Sequence, residues 1–101
     1  MNYAVAPEKL FQIVEQDVQL IDIREPYQFN EQHIKNFQNI PYQQLTSQLP
    51  LLSKNKPIYL LCEMGSKARF VAGGLRQKGY DAYYIDGGFR GFINIPPQKY
   101  F

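Results

Sequence analysis

The chain has 101 residues, 45% hydrophobic and 20% charged, with a formal net charge of +2. That length suits one domain, residues 1–101, with a core of its own. The charge is too small to mark a nucleic-acid or membrane-surface binder. No apolar run reaches the ~18 residues that span a bilayer, and the first residues lack the basic and apolar regions of a signal peptide. One cysteine and one histidine offer neither an internal disulfide nor a metal cluster, so the expectation is a cytoplasmic, metal-free protein.

Pro7-Glu8 opens a helix, because proline suits a first turn, and Leu10, Phe11 and Val14 then share one face. Residues 19–23 read as a buried strand through Leu20, Ile21 and Ile23. Glu25-Pro26 begins a short helix over residues 27–31. A short strand over 37–40 ends at Pro41, a short helix covers 42–49, and 50–56 is a polar loop. Residues 57–61 form the clearest strand and 67–78 the clearest helix, with Gly79 as its cap. A last strand, 82–85, stops at Asp86-Gly87-Gly88, and the tail from Phe89 to Phe101 contains Pro96-Pro97 and is partly irregular. Strands alternating with short helices imply crossovers and a mostly parallel sheet. Gly73-Gly74 inside the long helix predict close approach of that helix to the sheet.

Open parallel sheets bind ligands beyond the carboxyl ends of their strands. Cys62 stands at such an end, after Ile58-Tyr59-Leu60-Leu61. The glycine-containing segment Glu63-Met64-Gly65-Ser66-Lys67 follows it and leads into the helix. A helix start offers unpaired N–H groups and partial positive charge, which favour an anion such as a thiolate. Asp22 and Arg24 lie near the end of another strand and so at the same rim, where a salt bridge or loop clamp is the expected role.

Four segments resemble the single-domain rhodaneses, a family of thiosulfate and persulfide sulfurtransferases. Asp22-Ile23-Arg24-Glu25-Pro26-Tyr27-Gln28-Phe29 is similar to the family's D-V/I-R-E-x-x-E-F/Y segment. Residues 32–41, Gln-His-Ile-Lys-Asn-Phe-Gln-Asn-Ile-Pro, resemble G-H-I-x-G-A-x-N-I-P. Cys62-Glu63-Met64-Gly65-Ser66-Lys67-Ala68 resembles the active-site loop C-x-x-G-x-R/K-S/A. Gly79-Tyr80 and Asp86-Gly87-Gly88 resemble the closing segment. The resemblance covers about residues 5–93. It implies an α/β/α sandwich around a central, mostly parallel, five-stranded sheet, with no cofactor. It also implies a ping-pong reaction in which Cys62 takes sulfane sulfur from thiosulfate or a persulfide and passes it to a thiophilic acceptor. The partners are then a small sulfur donor and a thiol acceptor, small or a protein sulfur carrier, with no nucleic acid and no membrane.

The residues also define what each position is expected to do. Cys62 is the nucleophile. The amides of Glu63, Met64, Gly65, Ser66 and Lys67 are expected to form a nest around the outer sulfur, with Gly65 letting the loop curl. Lys67 supplies a cation without the fork of an arginine. Glu63 places a negative charge beside the thiol and disfavours anionic donors. Ser66 is a candidate N-cap, and His33 is expected to make a structural hydrogen bond. Phe89, Phe92, Tyr100 and Phe101 are candidates for an exposed partner patch. A rhodanese-like module that binds a partner or senses oxidation is the alternative function. A phosphatase is disfavoured, because the related C-x5-R loop would need arginine at position 68, which is Ala68, and Arg69 comes one place late.

Overall fold

Apolar alternation along a strand decides which side of the sheet each side chain joins. In the computed structural model, which describes residues 3–93 and 95, this is clearest in the strand Ile58–Leu61. Ile58, Leu60 and then Cys62 join one core cluster with Ile21, Ile23, Ala68, Val71, Ala72 and Leu75. Leu61 joins the opposite cluster with Leu10, Val14, Leu20, Ile34, Phe37, Ile85 and Phe92. Cys62 thus continues the parity of its strand onto the face covered by the long helix.

The strands are β1 (Ala4–Val5), β2 (Gln19–Asp22), β3 (Gln38–Asn39), β4 (Ile58–Leu61) and β5 (Ala82–Ile85). They form one five-stranded sheet in the order β1-β5-β4-β2-β3, with every pairing parallel. The helices are α1 (Leu10–Ile13), α2 (Pro26–Glu31), α3 (Leu45–Gln48) and α4 (Ser66–Gln77). Side chains from α3 and α4 enter the first cluster, and those of α1 enter the second with Phe29 of α2 packed against it. This is the expected α/β/α sandwich, and its sheet is wholly parallel.

Registers bring the functional ends together. Asp22 pairs with Leu61, and the Ile23 amide donates to the Leu61 carbonyl at 2.8 Å. The segments after β2 and β4 therefore leave the sheet side by side. The expected helix over 42–49 is shorter: α3 lies between 3-10 turns at Tyr42–Gln44 and Leu49–Leu51. The edge strand β1, two residues long, was not legible in the sequence, because two residues carry no alternation.

Gly79 ends α4 as expected. It has φ +94°, its amide donates to the Arg76 carbonyl, and the Tyr80 amide donates to the Leu75 carbonyl, the paired bonds of a Schellman cap. Where the family has glycine, Asn36 takes φ +69°, a region asparagine tolerates, and its amide group donates to the Val14 carbonyl at 2.8 Å. Gly73 and Gly74 contradict the expectation of close helix–sheet approach. A Cβ at either position would meet nothing within 4 Å, because both lie away from the sheet-facing line of Ala68, Val71, Ala72 and Leu75.

Gly88 is the opposite case. Its Cβ would fall 2.5 Å from the Cys62 carbonyl oxygen and 2.6 Å from the Gly65 nitrogen, at φ +64° and ψ −157°. Gly88→Ala is expected to destabilise the fold by at least ~1–3 kcal/mol from backbone strain alone. Gly74→Ala is expected to stabilise it by ~0.4–1 kcal/mol, through lower entropy of the unfolded chain. Urea unfolding of the two variants checks both signs.

Candidate active site

Cys62 is the first residue after β4 and is buried, 6% exposed. The sulfur accepts the Gly65 amide at 3.0 Å and the Ala68 amide at 3.2 Å. Ala68 is the third residue of α4, so the sulfur takes the place of an N-cap side chain. Ser66 is therefore not the N-cap: Gly65 holds that position with φ +98°, and Ser66 is the first helical residue. The positive φ turns the loop back so that the Gly65 amide points at the sulfur. The amides of Met64, Ser66 and Lys67 donate to no protein acceptor among the described residues. The bonds to Sγ come from Gly65, inside the expected loop, and from Ala68, one residue beyond it.

The chain after β5 braces this loop. The Phe89 amide donates to the Cys62 carbonyl at 2.8 Å and the Arg90 amide to the Glu63 carbonyl at 3.1 Å. Gly88 fits directly against the loop backbone, which is why no side chain can stand there.

Asp22 and Arg24 are both buried and form the clamp expected of them. Arg24 donates through Nε to both carboxylate oxygens of Asp22 at 3.1 Å and through Nη2 to Oδ2 at 2.9 Å. Nη2 also reaches the Gln32 carbonyl at 2.7 Å, and the guanidinium lies 4.0 Å from the ring centre of Phe89. Asn39 donates to the carbonyls of Asp22 and Arg24, holding the end of β2.

Glu63 is turned toward arginines rather than left beside the thiol uncompensated. Oε1 lies 3.6 Å from Arg24 Nη1, and Oε2 accepts Arg90 Nε at 3.1 Å. Lys67 is in no ion pair among the described residues, and its ammonium lies 5.0 Å from the ring centre of Tyr42.

A cavity of ≈ 220 Å³ opens over Cys62, lined by Ile23, Arg24, Glu25, Gln28, Glu63, Met64, Ser66 and Lys67 as well as the cysteine. That is below the ~300 Å³ at which drug-sized ligand pockets begin. The structure brings together the expected Cys62, Glu63, Met64, Ser66, Lys67 and Arg24. Asp22 lies beneath as a support, and Gly65 shapes the loop without lining the cavity. Sequence reasoning missed Glu25, Arg90 and Asn39. Gln28 stands where the family has an acidic residue, and its Oε1 accepts the Glu25 amide at 3.1 Å, which closes the first turn of α2. His33 Nδ1 lies 2.9 Å from the Phe29 carbonyl and its ring stacks on Phe29, away from the cavity lining. Two members of the expected exposed aromatic patch lie among the described residues, and they do not form one. Phe92 is buried in the core and Phe89 lies under Arg24, while Tyr100 and Phe101 lie outside the described residues.

A family model described as Rhodanese-like domain matches residues 6–95. The chain belongs to the rhodanese-like family. It is 29% identical to the thiosulfate sulfurtransferase GlpE of Pseudomonas aeruginosa PAO1, over 92% of this chain and 86% of that protein. It is 36% identical to the uncharacterized protein YqhL of Bacillus subtilis 168, over 82% of this chain and 67% of that one. Among solved structures, the rhodanese-like chain superposes on the reduced CoADR-RHD of Bacillus anthracis with a TM-score of 0.90 at 32% identity. That match covers 98% of this chain and 18% of the other. Among the described residues no helix is long and apolar enough to cross a membrane.

Breaking a buried pair leaves an uncompensated charge. Asp22→Asn is therefore expected to destabilise the protein by ~3–5 kcal/mol, read as a fall in the urea midpoint.

Proposed function

We propose that this protein is a sulfurtransferase that carries sulfane sulfur on Cys62. The observation that supports it best is the sulfur at the floor of a small cavity, receiving the Gly65 and Ala68 amides while other amides of the loop stay free. Amides aimed at sulfur stabilise negative charge there, both on the attacking thiolate and on the persulfide that replaces it. In the first half-reaction the Cys62 thiolate attacks the outer sulfur of a donor. One S–S bond forms, the donor's S–S bond breaks, and its electron pair leaves with sulfite or a thiolate. In the second half-reaction an acceptor thiolate attacks the outer sulfur and Cys62 leaves as thiolate. The chain has one cysteine, so an internal disulfide cannot discharge the persulfide and the acceptor comes from outside. A small thiol and a protein sulfur carrier both meet that need. A reducing cytoplasm, which keeps thiols free, is the compartment this chemistry fits.

The similarity to proteins named thiosulfate sulfurtransferase supports the same reaction class. A second reading, a partner-binding module without turnover, draws support from the 6% exposure of Cys62; redox sensing has less, because sensor thiols are solvent-accessible. Phosphatase chemistry has less: Ala68 fills the place of the needed arginine, and Arg69 is absent from the cavity lining.

Intact-mass measurement after incubation with thiosulfate or a persulfide separates the readings. One added sulfur, lost again on adding a thiol and absent in Cys62→Ser, is the expected result. No added sulfur with any donor rejects the enzyme reading. Cys62→Ser is expected to fold and to lose transfer, since a hydroxyl is nearly isosteric but a far weaker nucleophile. Lys67→Ala is expected to lower kcat/KM for thiosulfate about ten- to a hundredfold, the size of a lost charged hydrogen bond, and to affect a neutral persulfide less.

A further inference from the structure

The charges around the Cys62 cavity are arranged so that little positive field is left for a small dianion. Two cations line it, Arg24 and Lys67, against two carboxylates, Glu25 and Glu63. Arg24 is 3% exposed, with Nε and Nη2 committed to Asp22 and to the Gln32 carbonyl and Nη1 facing Glu63. It cannot turn toward a sulfonate without breaking a buried pair. Arg90, the next cation outside, donates its Nε to Glu63. Lys67 has its ammonium over the face of Tyr42. Glu63 is 33% exposed and sits at the wall between these groups, so it both adds a negative charge and occupies two guanidinium groups. The remaining wall is apolar or neutral: Ile23, Gln28, Ser66 and Met64, the last 69% exposed at the mouth.

We propose that Glu63 selects the sulfur donor by charge, so that the site takes sulfur from a low-molecular-weight thiol persulfide, R–S–SH, with a neutral or cationic body, and discriminates against thiosulfate. The inference rests on the sulfurtransferase reading above. The cavity admits the two sulfurs and the first carbons, and the body of the donor rests against Met64 at the mouth. The Cys62 thiolate attacks the outer sulfur. The Cys62–S bond forms as the donor's S–S bond breaks, its electron pair leaves on R–S⁻, and Cys62–S–SH remains. The charge is one negative on each side. Thiosulfate would instead bring a sulfonate and release sulfite beside Glu63 and Glu25. Removing the Glu63 charge lessens that repulsion and leaves Arg24 Nη1, still held in place by Asp22, and Arg90 Nε without their carboxylate partner.

The test is kcat/KM for four donors: thiosulfate and freshly generated persulfides of cysteamine, 2-mercaptoethanol and 3-mercaptopropionate, which carry cationic, neutral and anionic bodies. Wild type is expected to rank them cationic and neutral above anionic, with thiosulfate last. In Glu63→Gln the ratio of thiosulfate to the 2-mercaptoethanol persulfide is expected to rise about tenfold, mainly through KM, which corresponds to ~1.4 kcal/mol. Arg90→Gln, which leaves the Glu63 charge less compensated, is expected to lower that ratio. Added salt is expected to narrow the wild-type ranking, because a partly exposed charge is screened. A purely structural role for Glu63 would shift all donors together and would not give opposite signs in the two variants. Thiosulfate preferred by wild type, or a ratio unmoved in Glu63→Gln, overturns the donor assignment while leaving the sulfurtransferase reading in place. No sulfur on Cys62 from any donor overturns both.

Discussion

The hydrogen bonds from the Gly65 and Ala68 amides to Cys62 Sγ join the end of β4 to the start of α4 through a side chain. That join constrains the backbone around it. The loop must reverse within a few residues, which puts Gly65 at positive φ. Reversal brings it against the turn after β5, where Gly88 has no space for a Cβ. The helix gains an acceptor for a first-turn amide and the sulfur gains donors through the same contacts.

Outside this join runs a chain of alternating charge, Asp22–Arg24–Glu63–Arg90, from the buried end of β2 to the surface. Its members differ in what they do. The Asp22–Arg24 pair is desolvated and hydrogen-bonded along its length, so removing one partner is costly although the intact pair adds little net stability. The Glu63–Arg90 contact, with the arginine side chain 70% exposed, contributes little to stability and acts mainly on the local field. A carboxylate that looks hostile to a thiolate in the sequence is, in the fold, partly neutralised by two arginines.

Much of the fold was legible in the residues. Strands β2, β4 and β5 carry enough consecutive apolar residues to stand out, and α4 has both a sheet-facing row of Ala68, Val71, Ala72 and Leu75 and a glycine stop. β1 and β3, two residues each, are too short to carry alternation, and α3, four residues long, is barely one helical turn, too short for a helical period. Gly73 and Gly74 misled because a helical glycine marks close approach only if it faces a neighbour, and these do not. Ser66 is a good N-cap by type, yet a sulfur four residues earlier takes the amide that such a cap would bind.

From the sequence alone came the family, the alternating α/β architecture, the candidate nucleophile and the extent of its loop, because each is written in contiguous residues: a strand, a cysteine, a glycine and a helix. Only the tertiary structure decided which amides reach the sulfur, that Arg24 is committed to Asp22, and that Arg90 meets Glu63 across 27 residues of chain. Those pairings depend on parallel registers that lay the ends of β2, β4 and β5 side by side, and register is a relation between segments that no single segment carries.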